Sequence, residues 1–342
     1  MKGTNGRKPY PDNRPGAFMR LPAQDHGVVL RHGDGCDNFG ARDVFAWEHA
    51  GIYYMHYDAA DSEKGWLCVL ATSRDLVHWE KHGTVLEMGK PGEEDSKSAS
   101  YGTTYFEDGT WHMFYLGTPN ASPAPERVPA FPYLTMKAVA PSPRGPWVKQ
   151  REVVPFRTAA ASYYCSTASP GQIIKYHGEY LQFFSASTGS FTGDAAPVGV
   201  KRTLGIARTR DLDGKWQIDA NPILPLEEQI ENSSLYYEEE TGTWFLFTNH
   251  VGVEEPSREY TDAIWVYWSK DINRWDASDK AIVLDGENCT WSRKIVGLPS
   301  VIRAGDRLAV LYDGLTGEGI SHCHRDIGLA WLDLPLKAPD LR

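Results

Sequence analysis

The sequence of 342 residues is poor in cysteine and lacks long apolar runs. The cysteines are odd in number, and no two form a Cys-x-x-Cys pair, which argues against a disulfide framework or a zinc knuckle. No run of eighteen apolar residues occurs, so we expect no transmembrane helix and no membrane partner. We also expect no cofactor and no metal site, since a structural calcium ion has no support in the sequence. The cysteines are Cys36, Cys68, Cys165, Cys289 and Cys323.

Basic charge is also scarce. The chain has 35 Lys and Arg against 45 Asp and Glu, a formal net charge of −10, so binding of nucleic acid by bulk electrostatics is disfavoured. P-loop, Gly-x-Gly-x-x-Gly and Gly-x-Ser-x-Gly motifs are absent, which leaves nucleotide-binding and serine-hydrolase functions unsupported. Residues 1–8 are followed by no apolar segment and do not form a signal peptide. This favours a cytoplasmic location, or a secreted or periplasmic one if a leader has been removed.

A short motif that ends in tryptophan repeats along the chain. Ser73-Arg74-Asp75-Leu76-Val77-His78-Trp79 is its fullest copy, and the five copies end at tryptophans that are 68, 69, 59 and 56 residues apart. Near-constant spacing of this kind indicates a repeat architecture. The tryptophans are Trp79, Trp147, Trp216, Trp275 and Trp331.

A second repeat interleaves with the first: a glycine followed by a run of aromatic and apolar residues. A glycine between two runs rich in Tyr, Phe, Trp and Val predicts a β-hairpin. The glycines are Gly51, Gly109, Gly178, Gly242 and Gly305.

Each repeat therefore predicts a four-stranded unit, and five such units form an all-β, five-bladed β-propeller. We predict an irregular tail over residues 1–25 and a single propeller domain over 26–342. The strand Val28–Leu30 should complete the last blade.

In a propeller the innermost strands surround a central funnel. Counting back from each turn glycine places Asp43 in blade one and Glu231 in blade four at the funnel entrance. Two carboxylates that face each other across a pocket are what glycoside hydrolysis requires: one acts as base or nucleophile, the other as acid. The alternative is that Asp43 is a loop-end aspartate paired with Arg42 and that Glu231 is a solvated loop acid.

The chain resembles the five-bladed propeller glycoside hydrolases of family 43 and its relatives, families 32, 62, 117 and 130. The string at 73–79 is similar to their Ser-Lys-Asp-Leu-x-x-Trp string. Asp43-Val44-Phe45 resembles their first-blade Asp-Pro segment, with Val44 in place of proline, and Glu231 resembles their fourth-blade acid. The resemblance implies Asp43 as base or nucleophile, Glu231 as general acid, and an oligosaccharide substrate such as an arabinofuranoside.

One departure from these families concerns blade three, where families 43 and 32 place a second aspartate. This chain offers Ser169 or Thr167 there. Asp313 and Asp37 are possible substitutes, although each is also compatible with an ordinary loop aspartate.

Further residues are predicted near the funnel as substrate-binding groups. Flat aromatic faces suit sugar stacking, although core packing is the alternative for each aromatic residue. A basic residue at the start of blade five could bind a carboxylate, and His322-x-His324 is interpreted as a loop because no further metal ligands cluster nearby. The predicted substrate-binding residues are Trp47, Tyr101, Ser169, His250, Trp291 and Arg293.

The sequence therefore predicts a glycoside hydrolase, and two other classes stay open. One is a carbohydrate-binding propeller without catalysis, motivated by the missing blade-three acid, and the other is a protein-interaction propeller. The sequence leaves the oligomeric state open.

Overall fold

The computed structural model describes residues 10–33, 35–193, 198–254 and 258–339. Within these ranges nearly all regular structure is β-strand, and the helical segments are single turns of 3-10 helix, Gly35–Asp37 and Leu226–Glu228. No helix in these ranges is long and apolar enough to cross a bilayer. The five cysteines are all free thiols.

The strands are numbered in chain order. The first three blades are joined into one continuous sheet, and blades four and five each form a four-stranded sheet. The first strand is β1 (Gln24–Leu30). Blade one comprises β2 (Gly40–His49), β3 (Ile52–Asp61), β4 (Gly65–Ser73) and β5 (Trp79–Leu86). Blade two comprises β6 (Ser98–Glu107), β7 (Thr110–Thr118), a small hairpin of β8 (Asn120–Ala121) and β9 (Pro129–Ala130), then β10 (Tyr133–Ala140) and β11 (Val148–Lys149).

The remaining blades follow the same plan. Blade three comprises β12 (Thr167–Ser169), β13 (Ile173–Tyr176), β14 (Glu179–Ser190), β15 (Val198–Thr209) and β16 (Gln217–Ile218). Its innermost strand is split, since β12 and β13 both pair with β14. Blade four comprises β17 (Ile230–Glu238), β18 (Thr243–Val253), β19 (Glu259–Ser269) and β20 (Lys280–Asp285). Blade five comprises β21 (Val296–Ala304), β22 (Arg307–Gly314) and β23 (Asp326–Asp333).

The N-terminal strand closes the ring. β1 pairs antiparallel with β23, from Gln24 opposite Trp331 to Leu30 opposite Ile327, and so becomes the fourth strand of blade five. The prediction that Val28–Leu30 completes the last blade is confirmed, and the strand begins four residues earlier than predicted. The chain is thus an all-β, five-bladed propeller, as predicted.

Apolar packing fills the spaces between blades. A separate buried cluster lies at each of the five interfaces between neighbouring blades. For example, Phe247 of blade four packs with Val310 of blade five, and Met55 of blade one packs with Leu311 of blade five. A closed ring explains this distribution, because each sheet then buries both of its faces against a neighbour.

The turn glycines adopt the conformation that the hairpin prediction requires. All five have positive φ, between 61° and 82°. In three hairpins the preceding residue is also left-handed, as a type I′ turn demands, and Ala50 with Gly51 is one example. The strands that flank these turns therefore follow from local sequence.

The tryptophan motif forms the turn before the fourth strand. In blade one the Asp75 carboxylate accepts backbone N–H groups of Val77 and His78, and Trp79 Nε1 donates to the Leu76 carbonyl at 2.8 Å. Blade four repeats the arrangement, with Trp275 Nε1 donating to the Ile272 carbonyl at 2.9 Å. An aspartate that accepts N–H groups two and three residues ahead fixes such a turn, which explains why the motif recurs.

The fifth copy of the motif differs from the others. Trp331 lies within β23, the third strand of its blade, and the Arg307 guanidinium packs over its ring at 4.1 Å. No turn into a fourth strand is needed there, because β1 supplies that strand from the other end of the chain.

Candidate functional site

A cavity of about 360 Å³ lies where the five innermost regions converge. All five blades contribute to its lining, and the lining is rich in ionisable side chains. Its charged and titratable residues are Arg42, Asp43, Asp58, Tyr101, Tyr133, Arg202, Glu231, Arg258, Glu259, Tyr260, His322 and Arg325.

Asp43 reaches the cavity because β2 is bulged. The pairing of β2 with β3 shifts between Arg42 and Val44, and Asp43 has a left-handed φ of 49°. A bulge of this kind redirects one side chain away from the pleat. The backbone N–H of Asp43 donates to Asp313 Oδ2 at 3.0 Å, and its carboxylate pairs with Arg42 Nε at 3.0 Å. Asp43 therefore pairs with Arg42, as the alternative interpretation of the sequence expected. It nevertheless lines the cavity.

A second blade-one carboxyl group, Asp58, lies beside Asp43. It is 1% exposed, lines the cavity, and opposes Arg42 in the pairing of β2 with β3. The Tyr101 backbone N–H donates to Asp58 Oδ1. Burial, and then the charge of Asp43, raises the pKa of Asp58 well above its usual range.

Asp313 supports the same corner from blade five. It is fully buried, and Arg325 Nη1 donates to its Oδ1 at 2.9 Å while its other oxygen accepts the Asp43 N–H. Asp313 therefore fixes the backbone of the bulge, although it does not itself line the cavity. Asp37, the other candidate substitute, lies outside the cavity and binds Tyr57 and Lys81.

Glu231 occupies the corresponding position in blade four. The pairing of β17 with β18 shifts between Glu231 and Ser234, and Asn232 has a left-handed φ of 62°. Arg202 Nε lies 3.4 Å from Glu231 Oε2, and Asn249 Nδ2 donates to Glu231 Oε1 at 3.4 Å. The side chain keeps 30% of its area exposed, so it faces an accessible cavity.

A row of ion pairs extends from Glu231 to the N-terminal segment. Arg202 also donates to Glu259 Oε2 at 2.7 Å, and Glu259 accepts from Arg14 at 3.1 Å. Arg14 is 7% exposed, and it further donates to the Val251 carbonyl. The segment before β1 thus takes part in the charge network of the cavity.

His322 contributes a neutral ring to the cavity wall. Arg42 Nη1 lies 2.8 Å from His322 Nδ1, and an arginine can only donate, so Nδ1 accepts and the ring proton lies on Nε2. Burial, then the charges of Arg42, Arg325 and Arg202, lowers the pKa of His322 well below its usual range. The sequence analysis interpreted His322 only as a loop residue.

Two of the predicted substrate-binding residues line the cavity together with the predicted acids. Tyr101 is buried, and its hydroxyl donates to Asn232 Oδ1 at 3.2 Å. Burial, and then the charges of Asp43, Asp58 and Glu231, raises the Tyr101 pKa well above its usual range. Ser169 lies on β12 at the blade-three position.

The other four predicted binding residues lie outside the cavity lining. Trp47 stacks on Tyr54 with ring centroids 5.5 Å apart. His250 is fully buried, stacks on Trp265 at 3.8 Å and bonds to Asp262.

Trp291 donates to the Tyr312 hydroxyl at 2.7 Å, and Arg293 is exposed and donates to backbone carbonyls. Both precede β21, which begins at Val296.

One wall of the cavity is aromatic and comes from loops of blades two and three. Phe131 and Phe191 contact each other with ring centroids 5.7 Å apart, and the Phe131 N–H donates to the Phe191 carbonyl at 3.0 Å. A cavity with an aromatic wall and several convergent polar groups suits a sugar ring. No cluster of three or more His, Cys, Asp or Glu side chains suited to a metal ion occurs among the described residues.

Comparisons with known proteins support the fold. No protein-family profile matches the sequence, and no curated protein is similar to it at a significant level. Solved structures do match over nearly the whole chain. The catalytic domain of the family 62 α-L-arabinofuranosidase of Coprinopsis cinerea is 13% identical, with a TM-score of 0.64 over 92% of this chain and 98% of that one.

Two further structures have the same architecture. Zg3597, a family 117 glycoside hydrolase from the marine bacterium Zobellia galactanivorans, is 15% identical, with a TM-score of 0.63 over 93% of both chains. A thermostable family-43 glycoside hydrolase is 12% identical, with a TM-score of 0.60 over 89% of this chain and 96% of that one. The predicted resemblance to these propeller families is confirmed at the level of the fold.

Proposed function

We propose that this chain hydrolyses a glycosidic bond of an oligosaccharide, with Asp43 as base or nucleophile and Glu231 as general acid. The observation that carries the proposal is that bulged innermost strands of blades one and four direct these two carboxyl groups into one cavity. Glycoside hydrolysis uses a pair of carboxyl groups that flank the scissile bond of the bound sugar.

In this mechanism Glu231 protonates the glycosidic oxygen as the bond to the anomeric carbon breaks. Asp43 either removes a proton from the attacking water or attacks the anomeric carbon itself, and the separation of the two groups in the substrate complex decides between these courses. Asn232, Tyr101 and the Nε2–H of His322 are placed to bind sugar hydroxyls.

An arabinofuranoside is our first candidate for the sugar. The support is the similarity to an α-L-arabinofuranosidase from family 62 together with the small cavity. Fold likeness alone does not assign a substrate, so the proposal rests on the two acids and the sugar is a separate question.

One observation favours a second function, a carbohydrate-binding propeller without catalysis. Blade three presents Ser169 where families 43 and 32 have an aspartate. This alternative predicts saturable binding of an oligosaccharide without turnover.

The test is hydrolysis of a panel of aryl glycosides, including arabinofuranosides, and of plant and algal oligosaccharides. Asp43→Asn and Glu231→Gln should each lose activity while melting at the wild-type temperature. Glu239→Gln is the matched control, since Glu239 is exposed in the β17–β18 hairpin away from the cavity. Full activity in either cavity variant would refute the assigned mechanism. Binding by calorimetry with no product on any substrate would favour the binding propeller.

A further inference from the structure

The guanidinium of Arg42 contacts two groups of the cavity at once. Its Nε lies 3.0 Å from Asp43 Oδ2, and its Nη1 lies 2.8 Å from His322 Nδ1. The guanidinium also packs over the ring of Trp66, 4.4 Å from the ring centre, and Trp66 is fully buried. Arg42 is therefore fixed by three neighbours, although the two-carboxylate mechanism gives it no role.

The His322 ring is fixed in the same way. It belongs to the loop between β22 and β23, and the backbone N–H of the nearby His324 donates to the Phe39 carbonyl at 2.8 Å, which ties this loop to the segment before β2. The Phe191 ring packs against the His322 ring, with centroids 6.1 Å apart. Contacts within the protein thus set the position of the ring before any sugar binds.

The contact with Arg42 decides which nitrogen of His322 carries the proton. A guanidinium has N–H donors and no acceptor, so Nδ1 must accept and the ring proton lies on Nε2. A doubly protonated ring would have no acceptor left for Arg42. Among the residues that the structure describes, Nε2 has no protein partner, and it is not fully buried. The Nε2–H is therefore open to the cavity that His322 lines.

We propose that Arg42 is a positioning residue that holds His322 as a neutral donor, and that the His322 Nε2–H donates to an oxygen atom of the bound sugar. His322 is then a substrate-binding group and acts neither as general acid nor as base. The proposal rests on the proposed function, because it takes the cavity as the sugar site. It adds that the blade-five wall selects a hydroxyl or ring oxygen that can accept a hydrogen bond.

The charges around His322 agree with this assignment. Arg42 contacts the ring directly, and Arg325 and Arg202 are further cations that act on it. The Asp43 carboxylate pairs with Arg42 rather than with the ring. Burial, followed by the three arginine charges, lowers the pKa of His322 well below its usual range. A general acid or base works best with a pKa near the operating pH, so this ring is poorly suited to proton transfer.

Two amide substitutions test the two nitrogens of the ring separately. In His322→Asn the short amide can accept from Arg42 as Nδ1 does, but it does not reach the position of Nε2. In His322→Gln the longer amide can present an N–H there. We expect kcat/KM to fall about tenfold in His322→Asn, through loss of one hydrogen bond, and less than about threefold in His322→Gln.

Two results of this comparison would contradict the proposal. No loss in His322→Asn would show that Nε2 does not contact the substrate. Equal loss in the two variants would show that the donated N–H is not what matters, and a loss of about 100-fold or more in both is what a missing acid or base would cause.

The proton position has a readout that needs no turnover. In NMR spectra of protein labelled with ¹⁵N-histidine, a ring nitrogen that carries a proton is distinguished from one that does not, and the signals absent from His322→Gln identify His322. At neutral pH the wild-type ring should have a protonated Nε2 and an unprotonated Nδ1. Arg42→Met removes the donor to Nδ1, so the same ring should become a mixture of neutral forms.

These spectra also separate the proposal from the function on which it rests. A proton on Nδ1 in the wild-type protein would refute the proposal even if hydrolysis is established and even if Arg42→Met does not fold. An unchanged single form in folded Arg42→Met would remove the positioning role of Arg42. The expected wild-type form with no hydrolysis of any substrate would instead place the failure in the proposed function.

His324→Asn is the matched control. His324 lies further along the same loop, and its ring contacts Phe39 and His32 instead of lining the cavity. Its φ of 60° is left-handed, a conformation that asparagine also adopts. The variant should keep the kcat/KM of wild type. A fall equal to that of His322→Asn would mean that any substitution in this loop disturbs the cavity, and the specific role of His322 would be lost.

Discussion

The two sides of the cavity hold their acids in different ways. On the blade-one side Asp43 is surrounded by buried carboxyl groups, Asp58 and Asp313, and its backbone is tied to blade five. On the blade-four side Glu231 faces Arg202 and no second carboxyl group pairs with it in the described contacts. Similar bulges therefore present two acids to the same cavity in different electrostatic surroundings.

This difference suggests how one fold can assign two roles to two carboxyl groups. The ion pair with Arg42 and the backbone bond to Asp313 hold Asp43 in one orientation, which a base or nucleophile requires. An acid near the cavity mouth can exchange its proton with solvent between turnovers. The chemical roles then follow from the neighbours of each acid rather than from the acids themselves.

The largest expected effect comes from substituting the two acids and varying the leaving group. Glu231→Gln should lower kcat about 10²- to 10⁴-fold for alkyl glycosides, and far less for dinitrophenyl glycosides, because an activated phenolate departs without a proton. Asp43→Asn should lose activity on both substrate types. The measurement is kcat/KM across an aryl series, and the same leaving-group dependence in both variants would abolish the proposed distinction between the two sides.

The next effect concerns the guanidinium that holds Glu231. Arg202→Met keeps much of the side-chain length but removes the ion pairs with Glu231 and Glu259, so the acid loses its fixed orientation. We expect kcat to fall about 100-fold. Arg202→Lys should restore part of it, since lysine keeps the charge without the planar fork. Unchanged kcat and pH profile in Arg202→Met would show that Glu231 is positioned by other groups.

A smaller effect should come from the N-terminal segment. Arg14→Met removes the last cation in the row of ion pairs, so that Glu259 pairs with Arg202 alone. We expect kcat to fall about tenfold or less, as for residues coupled through one shared partner. Arg31→Met is the control, because Arg31 has 72% of its side chain exposed and pairs with Asp326. Equal effects of the two substitutions would argue against a link from Arg14 to the cavity.

The fold could be predicted from sequence because its signals are local. The Asp75 turn and the left-handed turn glycines each depend on a few neighbouring residues, and their repetition gives the number of blades. Ring closure by β1 was also predictable, since the fifth unit lacks a fourth strand of its own.

The site could be predicted only in part. Asp43 and Glu231 were found by counting along the innermost strands, which works because each blade repeats its hairpin. Arg202 and His322 were missed, since one lies on the third strand of blade three and the other in a loop of blade five. Their approach depends on blade packing, which has no local sequence signal.

Asp58 is an intermediate case. It is an acid inside strand β3, which is buried over most of its length, and a carboxyl group there is costly unless it has a partner. That pattern could have singled it out. That it shares the cavity with Asp43 could not have been foreseen, because Asp43 reaches the cavity through the bulge between Arg42 and Val44.

The smallest expected effect concerns one of two buried histidines, which lie in blade one and in blade four. His56 of blade one is fully buried, and its Nδ1 lies 3.3 Å from the Gly102 carbonyl, whereas His250 of blade four bonds to the Asp262 carboxylate. Burial lowers the pKa of His56 to about 3. Below its ordinary value near 6.5 the unfolded chain binds a proton that the folded chain does not, so stability falls as the pH falls.

From pH 7.5 to 5.5 this histidine should reduce the free energy of unfolding by about 1 kcal/mol. Urea unfolding at the two pH values measures that loss, and His56→Gln should remove it. His26→Gln is the control, because His26 is exposed on β1. If the free energy of unfolding has the same pH dependence in wild type and in His56→Gln, other groups take up the proton on unfolding. His56 would then make no contribution to the loss of stability in acid.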